Sequence, residues 1–154
     1  MLSIGDVAPN FTLTSAQGEV VSLSQFRGKR VVIFFYPKNM TAACTQEACD
    51  FRDHYARLKT LNVEVIGIST DPVKSHLNFV TKKELPYYSL SDETHEVCEA
   101  FGVWQLKKLY GREYMGIVRT TFLIDEAGKV AYIWPKVRVK GHVEQVYTYI
   151  MEQL

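Results

Sequence analysis

A continuous apolar segment at residues 31–36, Val-Val-Ile-Phe-Phe-Tyr, limits more strongly than any other feature what this chain can fold into. Its β-branched and aromatic side chains do not alternate with polar ones, which is typical of a strand buried on both faces of a sheet. A second apolar segment follows at residues 63–68, and roughly 18 residues with helical spacing separate the two. Strand, helix and strand form a βαβ unit, which predicts parallel strands joined by a right-handed crossover.

The helix between these strands is predicted from residue 42 to about residue 61 by the spacing of its apolar side chains. They recur at steps of four, three, four and three residues, which places them on one face of a helix. Thr41 stands just before the first turn, where its side-chain oxygen can accept from a free backbone N–H group, so we expect it to be the N-cap. The residues on the apolar face are Cys44, Ala48, Phe51, Tyr55 and Leu58.

The remaining segments continue the alternation of strands and helices. Residues 11–14 and 20–23 flank a turn glycine and are predicted to form an N-terminal hairpin. Asp71 and Pro72 are predicted as the N-cap and first residue of the next helix. That helix should have Leu77 and Val80 on its inward side. Further predicted elements are a strand at 86–90, a helix at 93–101, a surface loop at 104–116, hairpin strands at 117–124 and 129–134, and a closing helix with Val143, Val146, Tyr147 and Ile150 on its apolar face.

This order of elements predicts an α/β protein with a thioredoxin-like fold. Its central mixed β-sheet should be flanked by helices and extended by the N-terminal β-hairpin. No internal repeat or linker interrupts the chain, so residues 1–154 are predicted to form one domain. Because one fold supports many chemistries, the function has to be sought in particular residues.

The charge balance and hydropathy exclude several functional classes. The 18 Lys and Arg side chains nearly cancel the 17 Asp and Glu, and the basic ones form no long run, so a nucleic-acid partner is not expected. The longest apolar run is far shorter than the roughly 20 residues of a membrane span, and the first residues lack the features of a signal peptide. We therefore expect a cytoplasmic protein with no membrane partner.

Three cysteines are an odd number and too few for a disulfide framework. Cys44 would be the third residue of the predicted helix, near free N–H groups and the positive end of the helix dipole, and both favour a thiolate. The same residue lies on the apolar face, where buried cysteines commonly serve as small hydrophobic side chains. Position alone supports the catalytic and the packing interpretations about equally.

Cys49 favours the catalytic interpretation, because it follows Cys44 by five residues in the same predicted helix. On an intact helix their Cα atoms are roughly 8 to 9 Å apart and their side chains point about 140° apart. A disulfide needs Cα atoms within about 7 Å, so the helix start would have to unwind, which suits a catalytic cycle better than a permanent bond. In such a cycle Cys44 attacks a peroxide, becomes a sulfenic acid and is condensed by Cys49 into a disulfide.

Residues 34–53, FFYPKNMTAACTQEACDFRD, closely resemble the active-site segment of peroxiredoxins, above all of the bacterioferritin-comigratory-protein or Q-type subfamily. The Pro-x-x-x-Thr-x-x-Cys pattern of that family falls on Pro37, Thr41 and Cys44. Its later active-site arginine falls on Arg119 in VRTTFLID, and the resemblance covers nearly the whole chain. The resemblance implies a thioredoxin-dependent peroxidase that reduces hydrogen peroxide and organic hydroperoxides with no cofactor.

The resemblance also implies a role for each matched residue. Cys44 would be the peroxidatic cysteine, and Pro37 would shield its sulfur from water. Thr41 and Arg119 would hydrogen-bond the peroxide oxygens and stabilise the charge on the thiolate and the leaving oxygen. Cys49 matches the resolving position of those members whose two cysteines share one helix.

Two departures from the family pattern concern the start of the helix. Ala42-Ala43 stands where the family usually has Pro-Gly, and the aspartate common near Asn39 is absent. We expect altered rates rather than lost chemistry. The resemblance implies recycling by thioredoxin or a similar dithiol, and a monomer is expected because an intrachain disulfide does not require a dimer.

Most other polar and reactive side chains are interpreted as packing or surface residues. Cys98 is interpreted as a small core residue. Glu47 either orients Arg119 by a salt bridge or is a solvated acid of the first helical turn. Lys107, with Lys108 and Arg112, is interpreted as a solvated face that could also help an acidic partner to dock. The histidines have no spacing typical of a zinc site and are interpreted as surface or packing residues: His54, His76, His95 and His142.

Two rival functions remain open from the sequence. A thiol-disulfide oxidoreductase acting on proteins has the same fold, but it would normally require a CxxC motif at the helix start, which is absent. A redox-sensing module would oxidise at Cys44 without turnover.

Overall fold

The structure, a computed structural model, describes residues 2–153. Within this range no helix is both long enough and apolar enough to cross a membrane. The predicted hairpin, βαβ unit and closing helix are all present, and a short 3-10 helix at Leu23–Phe26 follows the hairpin. The elements are β1 Thr12–Ser15, β2 Val20–Ser22, β3 Arg30–Phe35, α1 Ala42–Thr60, β4 Val63–Ser69, α2 Val73–Lys83, β5 Tyr88–Ser91, α3 Glu96–Ala100, β6 Trp104–Leu109, β7 Arg112–Ile117, β8 Thr120–Ile124, β9 Val130–Trp134 and α4 His142–Glu152.

Seven strands form one mixed sheet in the order β2-β1-β5-β4-β3-β8-β9. β3 pairs in parallel with β4 and β4 with β5, whereas β8 runs antiparallel to β3. The parallel strands confirm the predicted βαβ unit. Because α1 begins a few residues after β3 ends, its N-terminus lies at the edge of the sheet where β3 and β4 end and β8 begins.

Alternate residues of β3 enter two separate cores, one on each face of the sheet. Val31, Ile33 and Phe35 belong to the core that contains α3, whereas Val32 and Phe34 belong to the core under α1, α2 and α4. Burying such a side chain stabilises the fold by roughly 1.5 to 3 kcal/mol, so the unbroken apolar run from Val31 to Phe35 stabilises both layers. This explains the absence of alternation in the sequence.

The close packing of β3 against β4 also fixes α1. Gly67 of β4 pairs with Phe34, and a Cβ atom at Gly67 would lie only 2.7 Å from the Phe34 ring. The ring is stacked on Phe51 of α1, with centroids 4.5 Å apart. A glycine on one strand therefore leaves room for the aromatic contact that holds α1 on the sheet.

Residues 104–116 are not the predicted surface loop. They form most of an antiparallel two-stranded ribbon, β6–β7, that pairs Trp104 with Ile117. Its turn contains Tyr110 and Gly111, both with positive φ (50° and 77°), as a two-residue hairpin turn requires. The ribbon was missed because most of its side chains are at least partly exposed, so no apolar face marks it in the sequence. Ile117 therefore ends β7 rather than beginning β8, and residues 118–119 separate the two strands.

The start of α2 is displaced by one residue from the prediction. Pro72 is the N-cap, and Asp71 uses its carboxylate elsewhere, on the backbone N–H of Asn39 and the hydroxyl of Ser69. Leu77 is 46% exposed rather than inward. The buried face of α2 consists of His76, Phe79 and Val80. The predicted helix at 93–101 is also shorter, since α3 comprises Glu96–Ala100.

Candidate active site

Cys44 is the third residue of α1, as predicted, and it is 1% exposed. It belongs to the same core as Phe51 and Ala48, so it packs as an apolar residue and also stands at the helix start. The N–H groups of this first turn have no partners within the helix. The position of Cys44 therefore fits both a catalytic thiol and a packing residue. The polar side chains around its sulfur have to decide between these two interpretations.

Arg119 is the polar neighbour of Cys44, although 75 residues separate them in the chain. It lies between β7 and β8, and its Nη2 donates to Cys44 Sγ at 3.3 Å. Nη1 of the same guanidinium donates to Glu47 Oε1 at 2.6 Å. The planar guanidinium thus bridges a carboxylate and a sulfur, which the single ammonium of a lysine cannot do with the same geometry.

Glu47 orients Arg119, and the alternative of a solvated acid is wrong because its side chain is 0% exposed. Burial raises the pKa of Glu47 to about 7 against the opposing effect of Arg119. Burial lowers the pKa of Arg119, but Glu47 and Cys44 outweigh it and raise that pKa above its ordinary value. The two shifts describe one ion pair in which the more deeply buried carboxylate bears most of the cost of desolvation.

Thr41 is the N-cap by position but not by its side chain. Its carbonyl accepts the first helical hydrogen bond, from the N–H of Thr45 at 2.8 Å. Its hydroxyl donates to the Lys38 carbonyl at 2.8 Å rather than accepting from the helix, which corrects the predicted side-chain cap. The physical reason is the tight turn of residues 38–41, which brings this carbonyl within reach. Pro37, two residues after the end of β3, is partly buried.

Cys49 lies further along the same continuous helix and is partly buried. The structure contains free thiols at Cys44 and Cys49 on an intact α1. A disulfide between them therefore requires the helix start to unwind, because intact helical geometry keeps their Cα atoms roughly 8 to 9 Å apart.

Cys98 is on the opposite face of the sheet, in the core that contains Phe35 and Phe101. Burial, together with the carboxylate of Asp92, raises the pKa of its thiol well above the ordinary value. A thiol kept protonated in an apolar core is a poor nucleophile, which agrees with the interpretation of Cys98 as a packing residue.

The interpretation of Lys107 as part of a solvated face is wrong, because its side chain is partly buried near Arg119. Its Nζ donates to the Ile117 carbonyl at 2.9 Å, two residues before Arg119. Burial and the charge of Arg119 lower the pKa of Lys107, and Cys44 acts in the opposite direction. Its stem lies over Gly116, where a Cβ atom would be 3.1 Å from Cδ. Only the strand pairing of β6 with β7 reveals this arrangement.

The other two residues of that basic group, Lys108 and Arg112, are exposed as predicted. Within residues 2–153 no three His, Cys, Asp or Glu side chains form a group that could hold a metal ion. His76 and His142 are buried, and His54 and His95 form hydrogen bonds nearer the surface with Glu144 and Glu99.

A cysteine at the start of a helix, bound by an arginine that directly precedes a neighbouring strand of a thioredoxin-like sheet, is the arrangement of the peroxiredoxin class of thiol peroxidases. The chain belongs to the AhpC/TSA family, which matches its residues 4–133. It is 48% identical over 144 residues to the protein named peroxiredoxin Bcp from Bacillus subtilis, covering 94% of this chain and 92% of that protein. It is 44% identical over 151 residues to peroxiredoxin Bcp from Escherichia coli, covering 98% and 97%.

Solved structures that resemble this chain belong to the same class of protein as these relatives. A peroxiredoxin Q structure from Xylella fastidiosa superposes with a TM-score of 0.95 at 30% identity, covering 99% of this chain and 98% of that one. A bacterioferritin comigratory protein of Xanthomonas campestris, described for its alkyl peroxide reduction activity, has a TM-score of 0.91 at 33% identity, covering 99% and 98%. The predicted family and the thioredoxin-like α/β fold are confirmed.

Proposed function

We propose that this peroxiredoxin reduces hydroperoxides with Cys44 as the attacking thiolate, Arg119 as the cation that orients the reacting atoms, and Cys49 as the resolving thiol. The observation that carries the proposal is the 3.3 Å contact between Arg119 Nη2 and Cys44 Sγ. A cysteine that served only for packing would not need a nearly buried guanidinium against its sulfur, because burying that charge is costly. Pro37 and Thr41, which precede Cys44 in the loop, are assigned to shielding the sulfur and binding the peroxide.

The chemistry requires only sulfur and oxygen. The Cys44 thiolate attacks the terminal oxygen of the hydroperoxide, the S–O bond forms and the O–O bond breaks, which leaves a sulfenic acid. The leaving alkoxide or hydroxide takes a proton from solvent, and Arg119 stabilises its developing charge. The Cys49 thiol then attacks the sulfenic sulfur, which forms the disulfide and releases water. An external dithiol reduces the disulfide and restores both thiols.

The substrate and the partner follow from this cycle and from the relatives. The description of the Xanthomonas protein supports organic hydroperoxides as substrates beside hydrogen peroxide. We assign recycling to thioredoxin or a similar dithiol protein and place the enzyme in the cytoplasm. Because both cysteines lie on one helix, a single chain of one domain completes the cycle, so we assign the monomer as the active form.

Intact-mass measurement after one equivalent of hydrogen peroxide tests the assignment of the cysteines. Wild type loses about 2 Da as the disulfide forms, whereas Cys44→Ser loses nothing and consumes no peroxide. Cys49→Ser gains about 16 Da or more, as sulfenic acid or its overoxidised forms accumulate. Cys98→Ser is the matched control and loses about 2 Da like wild type.

Three outcomes would contradict the proposal. Loss of the disulfide in Cys98→Ser alone would show that another thiol resolves the intermediate. Reduction of insulin disulfides without peroxide consumption would indicate a protein disulfide reductase. Oxidation of Cys44 without steady-state turnover in the presence of a thioredoxin system would indicate a redox-sensing module.

A further inference from the structure

Residues 37–41, which we call the active-site loop, are held by buried hydrogen bonds centred on Asn39. This residue is 5% exposed although it lies in a loop. Its Oδ1 accepts from the Tyr36 hydroxyl at 2.5 Å, and its Nδ2 donates to Ser75 Oγ of α2 at 3.2 Å. Its backbone N–H donates to Asp71 Oδ2 at 2.8 Å. One side chain and one amide thus fasten the loop to the end of β3, to α2 and to the turn between β4 and α2.

A second layer of buried residues fixes these partners. Ser69 Oγ donates to Asp71 Oδ2 at 2.7 Å and, with its proton used there, accepts from His76 Nε2 at 3.1 Å. His76 Nδ1 must then be the acceptor, and Ser89 Oγ donates to it at 2.7 Å. Burial lowers the pKa of His76 to about 4 against the opposing effect of Asp71, so the neutral ring that this network requires is present at neutral pH.

The residues after Asn39 have fewer restraints. Met40 has a φ of 67°, a left-handed conformation that is costly for a residue other than glycine. The Thr41 side chain bonds within the loop instead of capping α1, and residues 42–43 are exposed. The chain therefore passes within three residues from a buried residue with three hydrogen bonds to an exposed helix start without a side-chain cap.

We propose that Asn39 is a positioning residue that latches the active-site loop closed during peroxide reduction and whose release limits the unwinding needed for disulfide formation. The inference rests on the proposed function, because only a disulfide between Cys44 and Cys49 requires α1 to unwind. Oxidation of Cys44 changes the sulfur that Arg119 binds, whereas the contacts of Asn39 include none of the reacting atoms. They persist after the first chemical step and hold the loop until it opens.

Asn39→Ala removes the side-chain half of the latch. In stopped-flow experiments with hydrogen peroxide, oxidation of Cys44 slows by about threefold because the loop is less ordered, and the following disulfide formation accelerates by about tenfold. At high peroxide the overoxidised fraction falls, because resolution competes better with a second oxidation. Backbone amides of residues 40–46 exchange hydrogen faster, while the rest of α1 is unchanged.

Three further substitutions control for structural damage. Asn10→Ala removes another asparagine side chain, whose Oδ1 accepts from the backbone N–H of Ser24, a residue outside the loop, at 2.9 Å, and it leaves both rate constants unchanged. Ser75→Ala removes a single latch contact and shifts both rate constants in the same directions by smaller factors. Ser75→Thr keeps the hydroxyl and restores wild-type rates, so this pair tests the latch even where Asn39→Ala does not fold.

The proposal is overturned if folded Asn39→Ala or Ser75→Ala forms the disulfide no faster than wild type. It is equally overturned if both rate constants fall by the same factor, which indicates only general loosening. Failure of the proposed function has a different signature, because wild type itself would then form no disulfide between Cys44 and Cys49 on addition of peroxide.

Discussion

Glu47 shows most clearly how single residues of this site depart from ordinary protein energetics. Its side chain is wholly buried, and within residues 2–153 its Oε2 atom has no hydrogen-bond partner. Leaving such an oxygen unpaired costs about 1 to 3 kcal/mol, more when it is charged. This cost is offset by the position that Glu47 gives to Arg119. Its Oε1 accepts from Nη1 of Arg119, and Nη2 of the same guanidinium then reaches Cys44. Stability is given up for the orientation of one guanidinium.

The buried carboxylate predicts a specific pH dependence of peroxide reduction. The pKa of Glu47 is raised to about 7, so its charge, and with it the charge-assisted hydrogen bond to Arg119, is lost as pH falls through neutrality. The second-order rate constant of wild type should therefore decrease below about pH 7 with an inflection that Glu47→Gln lacks. Single-turnover stopped flow across this range measures it. Persistence of the inflection in the glutamine variant would assign it to another group.

Lys107 adds positive potential near the same sulfur, and its contribution can be isolated. Lys107→Met keeps the apolar stem over Gly116 and removes the charge, so the rate constant at low salt should fall about threefold. The dependence on ionic strength should weaken as well. Lys108→Met is the matched control, because Lys108 is the adjacent exposed lysine, and it should match wild type. Equal effects of the two substitutions would indicate only a change of net charge.

At the scale of elements, the start of α1 combines two conflicting requirements. The helix must be formed for Arg119 to meet Cys44, and it must unwind for Cys49 to reach the oxidised sulfur. Residues 42–43 are alanines, which favour a helix, yet the Thr41 side chain at the N-cap makes no hydrogen bond to the first turn. A substitution at position 42 should therefore shift the equilibrium between the formed and the unwound start of α1.

Ala42 is the first residue of α1 and is exposed, so substitutions there act on the helix start alone. Ala42→Pro suits this position, because the first helical N–H needs no partner within the helix, and it should raise the free energy of unfolding by about 0.5 to 1 kcal/mol. Disulfide formation after peroxide addition should slow several-fold. Ala42→Gly should act in the opposite direction on both quantities. Denaturant unfolding and stopped flow measure them, and parallel changes in both variants would contradict this account.

For the whole molecule, two buried neutral histidines make the free energy of unfolding depend on pH in the acidic range. Burial lowers the pKa of His76 to about 4, and burial together with Arg119 lowers that of His142 to about 4. Between about pH 6.5 and 4 the unfolded chain binds protons that the folded chain does not, so stability falls as pH is lowered through this range. Each histidine contributes about 3 kcal/mol of loss by pH 4. The raised pKa of Glu47 has the opposite effect, because here the folded chain binds the extra proton. Its contribution to the free energy of unfolding therefore falls as pH rises from about 4.5 to 7.

Urea unfolding at several pH values measures this dependence. His142→Gln should flatten the slope of unfolding free energy between about pH 6.5 and 4 by the equivalent of nearly one proton. If His142→Gln has the wild-type slope, His142 is not the group that titrates.

Four of the elements that the sequence predicted correctly share one property. β3, α1, β4 and α4 each bury an apolar stripe or both faces, so their periodicity is visible along the chain. The ribbon β6–β7 was not predicted because most of its side chains are at least partly exposed to solvent. It therefore has no apolar stripe that the sequence could reveal. The start of α2 was displaced because Asp71, a good N-cap by type, is used by Asn39 and Ser69 instead.

Local sequence patterns were enough to predict strands β3 and β4, the start of α1 and two cysteines that an intact helix keeps apart, since these depend on neighbours within a few residues. The resemblance at Pro37, Thr41 and Arg119 indicated the chemistry. Three contacts could be known only from the folded chain: Arg119 contacts Cys44 across 75 residues, Glu47 is buried behind Arg119, and Asn39 fastens the loop to α2. Such contacts depend on strand order and side-chain packing between distant segments, which local patterns do not encode.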